Sequence, residues 1–123
     1  MNKLQTGLAA IVLSMTLLAF SAPAAEAQSH APPGGDFQKV SELVDLPEFV
    51  PGLGVLWVDP GTLPAGPFLA FDRDGELVST VFMVPLDAME DQKAFTDLGA
   101  ADRPVRSVDF RFNAGHPGIP EPH

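Results

Sequence analysis

The chain has 123 residues and no cysteine, and its 7 Lys and Arg against 16 Asp and Glu give a formal charge of −9 with histidine neutral. That length allows one domain at most. The lack of cysteine excludes disulfides, thiolate catalysis and cysteine-ligated metals, and so acidic a balance argues against nucleic acid and anionic lipid, which are bound by clustered Lys and Arg.

Residues 1–27 have the pattern of a secretory signal: Lys3 at the start, an apolar stretch from Gly7 to Phe20, and Ala25-Glu26-Ala27 as a small-residue cleavage site. The apolar stretch is shorter than the roughly 20 residues that span a bilayer. The expectation is an exported protein, periplasmic or extracellular, with no stable membrane anchor. Removing 1–27 takes away Lys3 and Glu26 together, so the charge stays at −9.

Gln28 to Gly35 offers little to bury and reads as a flexible lead-in to a single domain over 36–123. Asp36 stands where an N-cap belongs, and Phe37, Val40, Ser41 and Val44 follow the spacing of one helical face, which predicts a short helix over about 37–45. Pro47 stops it. Val55-Leu56-Trp57-Val58 is a β-rich run bounded by Asp59-Pro60-Gly61, and the Pro-containing stretch 62–67 is a connecting loop. Phe68 to Phe71, the turn formers Asp72-Arg73-Asp74-Gly75, and Glu76 to Val84 predict a β-hairpin. Asp87 and Glu90 have the spacing of a capping box, so a second helix is expected over 88–95.

Further on, Val108, Phe110 and Phe112 alternate with Asp109 and Arg111, the pattern of a half-buried strand whose apolar face joins the core. From Asn113 onward Gly115, Gly118, Pro117, Pro120 and Pro122 exclude regular structure and leave a loop or tail. The fold class that follows is α+β: a small antiparallel β-sheet from about 55–58, 68–71, 76–84 and 106–112, with two short helices on one face.

Chemistry is concentrated in the C-terminal segment. His116 and His123, with Glu121 between them and Asp109 on the preceding strand, are the candidate ligands for a divalent transition metal. Run out as polyproline II, that segment would hold the two imidazoles about 22 Å apart, so they share an ion only if the chain turns back at Gly115 or Gly118. His30 lies in the lead-in. Asp72-Arg73-Asp74-Gly75 resembles the start of a calcium loop but lacks the bidentate Glu, since Met83 stands there. No serine sits in a nucleophile elbow, and no P-loop, dinucleotide or zincin motif occurs. Trp57 and the strand phenylalanines read as core, with a small ligand pocket beside Trp57 as the rarer outcome.

Leu63-Pro64-Ala65-Gly66-Pro67, the hairpin through Met83-Val84-Pro85, Phe95-Thr96-Asp97-Leu98, Val108 to Phe112 and the G-H-x-G-x-P-x-P-H segment 115–123 follow one another in an order that resembles a family of small exported bacterial proteins. That family carries a domain of unknown function and is typified by a Thermus protein under sigma-E/anti-sigma-E control. The resemblance implies a further β-strand with another Asp and His after the Pro-His pair, so this chain, stopping at His123, looks C-terminally truncated beside it. It implies no established activity. The expectation is therefore a non-enzymatic binding or structural envelope module that forms a homo-oligomer through an open strand edge. The alternative is a metal-binding protein or metal-dependent enzyme using the C-terminal histidines.

Overall fold

The computed structural model describes residues 28–101 and 103–123, so the signal expected over 1–27 lies outside the described residues. Four strands form one antiparallel sheet in the order β1-β2-β3-β4: β1 is Gln38–Lys39, β2 Val55–Val58, β3 Phe68–Phe71 and β4 Leu77–Val81. Two short helices, α1 at Val40–Leu43 and α2 at Leu86–Glu90, complete an α+β architecture. Among the described residues no helix is long and apolar enough to cross a membrane.

The β3–β4 hairpin forms for the reasons its sequence suggests. Asp72 Oδ1 accepts from the N–H groups of Asp74 and Glu76, both at 2.9 Å, and Gly75 takes the positive φ of 79° that closes the turn. That carboxylate serves the backbone, as a plain turn requires. The β3–β4 register shifts between Ala70 and Phe71, and β4 ends at Val81 rather than at the expected 84, beyond which Met83 donates its N–H to the Ala65 carbonyl.

β3 is buried along its whole length because both of its faces are covered. On one face Phe68 and Ala70 join Val40, Leu56 and Val58, with Val44, Leu46, Val50, Val81, Met83 and Ile119 packed against them. On the other lie Leu69 and Phe71, opposite Trp57 and Val55 of β2. Gly54 is required where β2 begins: its φ is 118°, and a Cβ there would collide with the Phe71 carbonyl.

The helix over 37–45 begins only at Val40, because Gln38 and Lys39 pair with Val58 and Trp57 along the open edge of β2, and Lys39, not Asp36, is the N-cap residue. The second helix starts at Leu86 behind Pro85 and ends before Gln92, whose left-handed φ of 56° cannot continue it. Residues 28–35 are packed rather than loose. Ala31 donates to Gly75, Leu77 donates to Ser29, and Ser29 and Pro33 are buried.

The largest correction concerns 106–112, which pairs with no strand and whose apolar residues do not join the core. Val108, Phe110 and Phe112 are 70%, 94% and 71% exposed. The place of a fourth strand is taken by β1 at the opposite edge, and Pro104, lacking an N–H, stands at the entry to this arm.

Candidate functional site

The C-terminal segment closes on itself. Asn113 and His123 exchange both backbone hydrogen bonds, at 2.7 and 2.9 Å, and His116 and Ile119 do the same at 2.9 and 3.0 Å. Asn113 Oδ1 accepts from the Gly115 N–H at 2.9 Å, and Gly115 and Gly118 adopt φ of 119° and 87°. Ile119 reaches the core cluster, the Gly118 backbone lies against Val44, and Leu86 of α2 donates to the Pro122 carbonyl. The segment is thus a structured loop tied to the domain at three points.

This reversal brings the two imidazoles together, with ring centres 5.1 Å apart and planes at 89°. His116 Nδ1 lies 3.1 Å from the Pro117 carbonyl oxygen, and His123 Nδ1 lies 2.8 Å from that of Glu121. A carbonyl oxygen can only accept, so each Nδ1 is the protonated donor and each neutral ring presents its lone pair at Nε2. The other two candidate ligands do not converge with them. Asp109 is exposed on the arm, the Glu121 side chain is exposed, and among the described residues no three His, Asp or Glu side chains gather as a metal site. His30 lies elsewhere, paired through Nδ1 with Glu76 Oε1 at 2.9 Å.

A second concavity, an open cleft of about 410 Å³, lies beside Trp57 on the far face of the sheet and is walled by Phe49, Val55, Phe71 and Arg73. The Arg73 guanidinium stacks 4.0 Å over Phe49, and the Lys39 ammonium sits 5.8 Å from the Trp57 ring centre. Lys39 also pairs with Glu48, whose carboxyl is held below its usual range by that hydrogen bond, as Lys39 is held above its own by the same bond. The Trp57 indole N–H is buried with no hydrogen-bond partner among the described residues.

No family model matches the chain, and no curated protein matches it. A solved structure does: a hypothetical protein from Thermus thermophilus, 46% identical, with a TM-score of 0.57 over 63% of this chain and 77% of that one. The chain belongs to that protein's family. At this identity the shared fold and the relationship are secure together, and the family's description names no activity. The resemblance seen in the sequence holds at that level, as an uncharacterised family with a Thermus member.

Within this family member, the sequence pointed to His116 and His123 but not to their contact, because the backbone hydrogen bonds that fold the loop, Asn113 with His123 and His116 with Ile119, follow no pattern of residue types. The Arg73–Phe49 and Lys39–Trp57 stacks had a signal in composition only, as cations near aromatic residues. Sequence spacing says nothing about which of them face one another across a sheet.

Proposed function

We propose that the protein is a non-enzymatic binding or structural module of the cell envelope that works as an assembly of copies of itself. The observation that carries this is the arm over 103–112, an unpaired segment with alternating apolar residues that the chain's own core does not cover. Phe110 is 94% exposed. A lone soluble domain rarely displays so contiguous an apolar face, and burying each phenylalanine against a partner is worth about 2 kcal/mol.

A second copy of this chain is the occupant that the chemistry favours. Arg103 pairs with Glu76 of its own chain at 3.3 Å, while Arg106 and Arg111 against Asp109 leave the rest of the arm basic on a chain whose formal charge is −9, so it is drawn to the acidic remainder of a neighbour. The outer edge of β4 offers backbone groups for it: β4 is the last strand of the sheet, and beyond Leu77 no described segment pairs with that edge.

The wild-type protein is expected to sediment as a multiple of the chain mass, and the Phe110→Asp, Phe112→Asp double variant as a single chain with an unchanged circular dichroism spectrum. Both side chains are exposed, so the sheet has no reason to unfold. A wild-type protein that stays monomeric at high micromolar concentration sinks the reading.

Export rests on the signal pattern over 1–27, and sigma-E/anti-sigma-E control of synthesis, implied by the resemblance, suits an envelope protein. Intact-mass analysis of protein recovered from the periplasm or medium should give a chain beginning at Gln28. Uncleaved protein confined to the cytoplasm would count against export while leaving self-association standing.

A further inference from the structure

We propose that His116 and His123 form a two-imidazole binding site for a zinc ion, coordinated through the Nε2 atom of each ring. The site is independent of the arm and of self-association.

Three observations carry it. First, the spacing fits a tetrahedral ion. Zinc holds imidazole nitrogen at about 2.0–2.1 Å, and with each ring centre ~1.2 Å behind its ligand atom, two rings at the tetrahedral angle stand about 5.2 Å apart. The observed separation is 5.1 Å. Two neighbouring ligands of a tetragonal copper site, at a right angle, would draw the centres to about 4.5 Å.

Second, each Nδ1 is committed to a backbone carbonyl, of Pro117 for His116 and of Glu121 for His123. This is the outer-shell arrangement that fixes the tautomer of metal-binding histidines and leaves Nε2 as the ligand. Third, the scaffold is built in advance: two reciprocal backbone pairs and the Ile119 anchor in the core hold the loop closed without metal. Pre-organisation of this kind removes the ordering cost that a flexible His-containing tail would bear on binding.

Two protein ligands leave two coordination positions to water, so the affinity is far weaker than that of a four-ligand structural site. His116 lines an open surface hollow with Ala114, Gly115, Pro117, Gly118 and Pro120, so its ring is reached directly from solvent.

The test is a zinc titration of the untagged, chelator-treated protein, followed by calorimetry and by long-range proton–nitrogen correlation of the imidazoles. The expected results are one zinc per chain, Nδ1–H tautomers for both rings before zinc is added, and a coordination shift at both Nε2 atoms afterwards. His116→Ala and His123→Ala should each lower affinity by about tenfold or more, with the sheet spectrum and melting temperature retained, while His30→Ala leaves binding unchanged. Absence of uptake at submillimolar zinc overturns the proposal. So does unchanged affinity in either C-terminal variant, or a zinc-induced shift at only one of the two rings, which would leave the contact as simple edge-to-face packing.

Discussion

Replacing Phe71 with alanine is expected to lower the free energy of unfolding by about 3–5 kcal/mol, read from urea denaturation at fixed protein concentration. Phe71 is fully buried at the end of β3, opposite Val55 on β2 and Leu77 on β4, where the β3–β4 register shifts. Its loss removes packing from both neighbours at once. A small domain holds only about 5–15 kcal/mol in total, so the variant sits close to its unfolding threshold. The site also borders the open cleft beneath Trp57, and entry of water or collapse of Trp57 into the space would move the cost toward the lower end of the range. Trp57 fluorescence reports that collapse directly. Phe110→Ala is the matched comparison: the same side chain is deleted from the exposed arm, and the stability of a dissociated chain should not change. A Phe71→Ala cost no larger than that of Phe110→Ala would mean that the sheet is not held by the packing described here.

The contrast between these two phenylalanines marks what the sequence could and could not express. Both lie in runs with strand-like composition, and both read as core. The hairpin was legible because its signals are local: Asp72 and Gly75 fix the turn within four residues, and the strands follow from it. The arm was legible as an apolar face but not as an uncovered one. Period-2 alternation states that one side of a strand prefers burial, and it carries no information on whether the covering surface belongs to the same chain. The shortening of the first helix has a similar origin. Phe37, Val40 and Val44 match a helical face, yet the open edge of β2 recruits Gln38 and Lys39, a long-range pairing that outweighs a weak local propensity.

At the candidate site the residue types were visible and the geometry was conditional. The extended alternative for 116–123 places the imidazoles too far apart to cooperate, and the outcome turns on a reversal at Gly115 and Gly118. Glycine permits such a reversal without specifying it. The decision is made by Asn113, whose Oδ1 accepts from the nearby Gly115 N–H, and by Ile119, which packs on core residues contributed by segments far back in the chain. Asp109 is a candidate ligand only if it swings in from the preceding segment, and in the structure it is exposed on the arm and does not gather with the histidines.

The reversal therefore separates ligand identity from ligand placement, and Gly115→Ala is the substitution that tests it. Gly115 adopts a φ of 119°, a conformation that L side chains rarely take, and a Cβ there would collide with the Pro120 carbonyl across the loop. The loop has to open at that point, which strains the adjoining His116–Ile119 pair and parts the rings while leaving both imidazoles in the chain. Zinc affinity should then fall about tenfold or more, to the level of the single-histidine variants. The melting temperature should stay near that of the wild type, because the segment contributes only Ile119 to the core cluster. Gly99→Ala supplies the control, since nothing lies within 4 Å of a Cβ at that position and its φ is ordinary. Wild-type zinc affinity in Gly115→Ala would mean that the two histidines find the ion without the built loop, as residues of a flexible tail would. Loss of affinity in Gly115→Ala with retention in Gly99→Ala would place the site's strength in the closed backbone that holds the rings 5.1 Å apart.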